Sequence, residues 1–224
     1  MLPAVGSAHR HQATVELRLG VPPSSAHQAS PLPHTAFLRR RDAPELDVSV
    51  EEEGYYGYTQ RFYGSDLAAA YYVLSMKGAF RFVGQTEWYC PDKKGKFNWD
   101  FLNHRDTQLE EVNMNYTLIN YTGLVNLEEQ RSLRTLSVRG CSEVDDWFLA
   151  RLHVLQDSLE ELDISHCPRI TTGGLAALRN LKGLRRLDVS SLPGISSPGL
   201  VIILLEEMLP QCQITATGYD LSLS

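Results

Sequence analysis

The chain has 224 residues, a net charge of −6, 43% hydrophobic and 21% charged side chains. These values exclude wholesale disorder, collagen and coiled coil as descriptions of the whole chain, and the acidic balance argues against a generic nucleic-acid binder. The longest run of large aliphatic residues, Leu200 to Leu205, is far shorter than the ~20 residues a membrane-spanning helix needs.

Residues 1–41 hold five arginines (Arg10, Arg18, Arg39, Arg40, Arg41) but one acid, Glu16, among Pro, Ser, Ala and His. Such a segment buries too little apolar surface to offset chain entropy. Its composition fits a mitochondrial transit peptide; the other reading is a flexible tail without a targeting role. Residues 42–58 carry Glu51-Glu52-Glu53 and three tyrosines, so 1–58 is read as a disordered tail and acidic linker. Residues 59–108 are expected to form a small α+β cap. Ser65 and Asp66 offer a helix cap, Leu67 to Met76 is rich in helix formers, and Gly78 is placed to end the helix. Phe80 to Val83 then reads as a strand, stopped by Gly84.

The strongest signal follows. Leu109, Leu133, Leu159 and Leu184 open similar blocks 24, 26 and 25 residues apart. Each block has an apolar residue three positions on (Val112, Leu136, Leu162, Leu187) and another two further (Met114, Val138, Ile164, Val189), the leucine-rich-repeat frame. Each then shows Ile or Val (Ile119, Val144, Ile170, Ile195), a helix-capping type (Asn120, Asp145, Thr171, Ser196) and a Leu four residues on (Leu124, Leu149, Leu175, Leu200). The helices are expected to bury Leu152, Leu155, Leu178, Leu181 and Ile203. Period 2 followed by period 3.6, repeated, means strand then helix, repeated.

The expected fold class is therefore α/β: a short right-handed leucine-rich-repeat solenoid over 109–217, with a parallel sheet, helices on the outer face, the 59–108 cap in front and a tail at 218–224. Gln213 to Ala216 is expected to add a fifth edge strand. Strand alternation points Glu111, Asn113, Asn115, Thr135, Ser137, Arg139, Glu161, Asp163, Ser165, Arg186, Asp188 and Ser190 out from the sheet. This polar face is either merely solvated or a partner-binding concave surface. On the second reading, Asp163→Lys with Asp188→Lys should lose binding and keep the melting temperature.

Candidate chemistry is sparse. Cys90, Cys141, Cys167 and Cys212 form no CxxC pair, and Leu192 replaces cysteine in the column of Cys141 and Cys167, so these two read as core thiols. His166 adjoins Cys167 but lacks the further ligands of a zinc site. Asp145-Asp146 reads as a cap rather than a catalytic pair. The sequons at Asn115 and Asn120 read as idle. No catalytic residue, cofactor or metal is expected.

More specific motifs lie within this frame. They are Val144-Asp145-Asp146-Trp147 with Leu149, Arg151-Leu152 and Asp157-Ser158-Leu159; Cys167-Pro168-Arg169-Ile170; Arg185-Arg186-Leu187-Asp188; Leu192-Pro193; Pro198-Gly199-Leu200; and Glu206-Glu207-Met208-Leu209-Pro210. Upstream, Lys77-Gly78-Ala79, Phe82, Glu87-Trp88 and Pro91-Asp92-Lys93 continue the pattern. Across roughly residues 60–214 the chain resembles the family of mitochondrial distal membrane-arm assembly components and ATP synthase subunit s (coupling factor B). The resemblance implies a non-enzymatic factor assisting assembly of respiratory complex I. It would be monomeric, mitochondrial and peripheral to the inner membrane on the matrix side. Its partners would be subunits or intermediates of the membrane arm. Residues 1–58 do not resemble the family's usual start. The alternative is a substrate-recognition adaptor of the ubiquitin-ligase type, which needs a ligase-docking helical module before the repeats.

Overall fold

The computed structural model describes residue 60 and residues 63–219. The expectations for residues 1–58 and for the last five residues lie outside this range. Helix α1 (Ser65–Ser75) buries Leu67, Ala68, Ala69, Ala70, Tyr72, Val73 and Leu74. Its N-cap is Gly64, without a side-chain cap bond. Ser65 and Asp66 are thus the first helical turn, not the cap, and Asp66 suits the positive end of the helix. At the other end the Gly78 amide donates to Val73 O (2.8 Å) and the Lys77 amide to Leu74 O (3.0 Å). That is a Schellman ending, with Lys77 at φ 64° taking the left-handed position. Gly78 also permits a close approach, since a Cβ there would lie 2.6 Å from Met114 Sδ and 2.8 Å from Asn113 O.

Strand β1 (Ala79–Phe82) pairs antiparallel with β2 (Leu109–Asn113). Strands β3 (Thr135–Ser137), β4 (Glu161–Asp163), β5 (Arg186–Asp188) and β6 (Gln213–Thr215) then add in parallel. The result is one six-stranded sheet in sequential order. Gln213 to Thr215 is therefore its sixth strand, because β1 joins at the opposite edge. Val112, Leu136, Leu162 and Leu187 are register partners from β2 to β5, and all four are buried. Ladder bonding runs beyond the strands, with the amides of Met114, Val138, Ile164 and Val189 donating to Ser137, Asp163, Asp188 and Thr215 carbonyls.

Before β2, Phe80 stacks on Tyr89 (5.1 Å) and meets Phe82 and Phe101 edge-on at 5.1 and 6.0 Å. Phe101 sits in a 3-10 turn, Asp100–Asn103. Aromatic burial of this kind covers the sheet's first edge. Behind the sheet, α2 (Asp146–Arg151), α3 (Thr172–Leu175) and α4 (Pro198–Met208) follow β3, β4 and β5. The unit after β2 has only a 3-10 turn, Gly123–Leu127. There the sequence expectation of a helix fails because Gly123 lies against the Tyr72 hydroxyl, which leaves little room for a wider turn. Helix α3 is four residues long because Gly173 and Gly174 disfavour propagation.

Three of the four capping residues act as expected. Asn120 Oδ1 accepts from Gly123 N (2.9 Å), Asp145 Oδ1 from Phe148 N (3.0 Å) and Thr171 Oγ1 from Gly173 N (3.2 Å). The fourth does not. Helix α4 starts on Ser197, with Pro198 at its first position. The frame slips by one residue, so the buried position four after the cap is Val201, and Leu200 is 59% exposed. Ile203, expected in the core, is 54% exposed. At the far end Tyr219 accepts from Leu192 N (3.2 Å) and donates to Val189 O, so this side chain packs back on the last unit.

Tyr116, Gly140, His166, Ser191 and Gly218 each have positive φ, between 51° and 76°, a column that the sequence pattern does not predict. They recur once per unit just past each strand, where the chain must turn from sheet to back layer. A Cβ on Gly140 would collide with the Tyr116 ring. Gly140→Ala is expected to destabilise by about 1–3 kcal/mol through left-handed strain and overpacking. Urea titration monitored by tryptophan fluorescence measures this, and an unchanged midpoint would contradict it.

Candidate functional site

The open face of the sheet gathers most of the side chains expected there. Glu111, Thr135, Glu161 and Arg186 form one row across β2 to β5; Asn113, Ser137, Asp163 and Asp188 form the next. Asn115, Arg139, Ser165 and Ser190 follow just past the strands. Within the first row Arg186 bonds Glu161, and Glu111 is held by Arg81 of β1, which also lies 3.5 Å from Glu110. Arg81 was not among the expected residues; only its place on an antiparallel edge strand brings it there.

The second and third rows are largely occupied by turn bonding. Asn113 Oδ1 accepts from Asn115 N (3.0 Å), Asp163 Oδ1 from Ser165 N (2.9 Å) and Asp188 Oδ1 from Ser190 N (2.9 Å). These are Asx turns, local side-chain bonds that fix where the strand ends. Ser137 Oγ donates to Asn115 Oδ1 at 2.6 Å, and that oxygen also accepts from Arg139 N at 2.9 Å. Ser165 and Ser190 are 0% and 5% exposed. They do not project to solvent as alternation alone suggested, because the chain has left extended geometry by that point. Ser190 Oγ instead accepts from Thr217 N (2.9 Å). The double lysine substitution at Asp163 and Asp188 would thus break two turns as well as change charge.

Arg139 lies at the rim. Its Nε donates to Tyr116 Oη (3.4 Å), and its Nη2 is 3.0 Å from His166 Nε2. The Tyr116 hydroxyl, then the Asp163 and Asp188 charges, push the guanidinium pKa up against partial desolvation. With Arg139 donating, His166 carries its proton on Nδ1 in this contact. This exposed Tyr–Arg–His row was invisible in sequence because its members come from adjacent units and meet only through the recurring left-handed turn.

The cysteines tie neighbouring units together. Cys141 Sγ donates to Met114 O (3.0 Å), and Cys167 Sγ to Val138 O (3.1 Å), each reaching the preceding unit. Burial raises both pKa values, that of Cys167 to about 12. A thiolate is needed for nucleophilic chemistry, so neither is a reactive thiol. Iodoacetamide at pH 8 is expected to label exposed Cys90 first and Cys167 last, by mass spectrometry. A thiol pKa raised on folding means stability is intact below pH 9 and falls as pH climbs towards 12; Cys167→Ala should flatten that alkaline limb.

Asp146 accepts from Thr171 N (2.8 Å) and Thr171 Oγ1 (2.6 Å), so Asp145 and Asp146 both serve turns. Among the described residues no group of three or more His, Cys, Asp or Glu side chains could hold a metal ion. No helix among them is long and apolar enough to cross a membrane. A cleft of about 240 Å³ beside Trp88, Cys90 and Asp100 is smaller than the usual few hundred Å³ of a ligand pocket.

No protein-family model matches the chain. Among curated proteins, distal membrane arm assembly component 2 of Drosophila melanogaster is 32% identical over 152 residues, covering 67% of this chain and 53% of that protein. The chain thus spans about half the length of this relative. Mitochondrial ATP synthase subunit s is 27% identical in Macaca fascicularis, over 154 residues, and 26% identical in Homo sapiens, over 160 residues. Each of these matches covers 67% of this chain and 75% of the relative. None of the three is named as an enzyme. The resemblance carried by the motifs therefore stands: this chain is a relative of distal membrane arm assembly component 2 and of mitochondrial ATP synthase subunit s.

Proposed function

We propose that the chain is a non-enzymatic assembly factor for the distal membrane arm of mitochondrial respiratory complex I. It acts by protein contact, peripheral to the inner membrane on the matrix side. The observation that carries this reading is the 32% identity to an assembly component of that arm. The structure supports it in two ways. Asp145, Asp146, Cys141 and Cys167 are engaged in caps, turns and interior bonds. The open face, in contrast, offers a mixed-charge surface built on short parallel strands. In this reading the units are leucine-rich repeats, the sheet is the concave side of a short solenoid, and Thr135, Arg139, Glu161, Asp163, Arg186 and Asp188 meet the partner.

The adaptor alternative fits less well. Among the described residues, the segment before β2 has one helix, one strand and aromatic-rich turns, and none of the relatives above is named as an adaptor.

The test is native gel electrophoresis of mitochondria from cells lacking the chain. Loss of assembled complex I, restored by the wild-type chain and not by Thr135→Arg, is the expected result. Thr135 sits mid-face outside the turn network, so its replacement should leave the melting temperature unchanged. Rescue by Thr135→Arg would move the contact off this face. Cofractionation with cullin-type scaffolds instead of complex I intermediates would overturn the function.

A further inference from the structure

Helix α4 exposes Leu200, Ile203 and Leu204 at 59%, 54% and 43%. These positions are i, i+3 and i+4, so they form one continuous stripe. Single exposed leucines are ordinary; three contiguous large aliphatics on one helix face are not. The stripe ends at Glu207, at i+7, with Glu206 beside it, and both carboxylates are exposed. Neither makes an ion pair among the described residues. They also sit in the last turn of α4, which holds no basic residue. Acidic charge at a helix carboxyl terminus opposes the helix dipole, and the Lys182 ammonium, 3.3 Å from Met208 O, answers only part of it. The helix thus keeps an arrangement that is unfavourable in isolation on two counts, apolar surface in water and uncompensated negative charge.

One ligand chemistry relieves both. We infer that the outer stripe of α4 docks an amphipathic helical segment of a partner protein, its aliphatic side chains on Leu200, Ile203 and Leu204 and its lysines or arginines on Glu206 and Glu207. The two glutamates decide the occupant: a second copy of α4 carries no lysine or arginine to meet them, and an anionic membrane surface would be repelled. The site lies behind the sheet, distinct from the open face, and does not depend on the role proposed for that face.

The experiment uses the full chain and a fluorescein-labelled amphipathic helical peptide of leucine and lysine, read by anisotropy. The expected result is saturable binding that weakens by roughly tenfold or more in Ile203→Ser with Leu204→Ser. Glu206→Gln with Glu207→Gln should weaken it severalfold and flatten its salt dependence. Thr135→Arg should leave it unchanged. Since the substituted side chains are exposed, the melting temperature should hold. The inference is overturned by any of four results: equal binding of a leucine–glutamate peptide of the same pattern, undiminished binding by the serine variant, a concentration-dependent dimer that the serine variant abolishes, or stripe-dependent binding to phosphatidylserine vesicles.

Discussion

Leu162→Asp is expected to abolish cooperative folding. Leu162 lies between its register partners Leu136 and Leu187 and is 2% exposed. Removing the side chain alone would cost about 2–5 kcal/mol. An unpaired buried carboxylate adds several more. Against a total of about 5–15 kcal/mol for an ordinary domain, little remains. Near-ultraviolet circular dichroism and a thermal melt check this directly. Leu162→Val is the control and should cost less than about 1.5 kcal/mol. A cooperative, monomeric melt from the aspartate variant would refute this register.

Phe80→Ala is expected to be nearly as severe, from the other end of the sheet. Phe80 is fully buried and touches Phe82, Tyr89 and Phe101. Loss of a buried phenylalanine costs about 3–5 kcal/mol, which for a domain of this size lowers the melting temperature by about 10 °C. Hydrogen exchange should show β1 and β2 losing protection before β4 and β5. If the whole sheet instead lost protection together, the aromatic cluster would be an inseparable part of one cooperative unit. If nothing changed, it would be dispensable.

The sequence is most legible where side-chain type follows directly from a repeated environment. The leucines of each strand, the caps Asn120, Asp145 and Thr171, and the interior column of Cys141, Cys167 and Leu192 all face the same surroundings in every unit, so they recur at fixed spacing. The last unit misleads at Leu200 and Ile203 because Pro198 pulls the helix start one residue later, and one residue turns every helical side chain by about 100°. The open face is legible only in part. Alternation is reliable inside a strand, but these strands are three to five residues long, and it fails just past their ends, at Ser165 and Ser190. The left-handed column could not be read because tyrosine, histidine and serine occupy three of its five places. Glycine at 140 and 218 was the only compositional hint of it.

The sequential order of the sheet bears on how this chain is made. From β2 onward, every strand pairs with the one synthesised just before it, some 25 residues earlier. No pairing waits for a distant carboxyl-terminal segment. As the polypeptide leaves the ribosome, α1, β1 and the aromatic residues around Phe80 emerge before the other described elements and close one edge. Each later unit then finds a finished edge to add to, at a nearly constant loop-closure cost. Growth by short-range addition keeps contact order low for a sheet protein. The part left exposed at each stage is a single strand edge, and Tyr219, which follows β6, fastens the final unit.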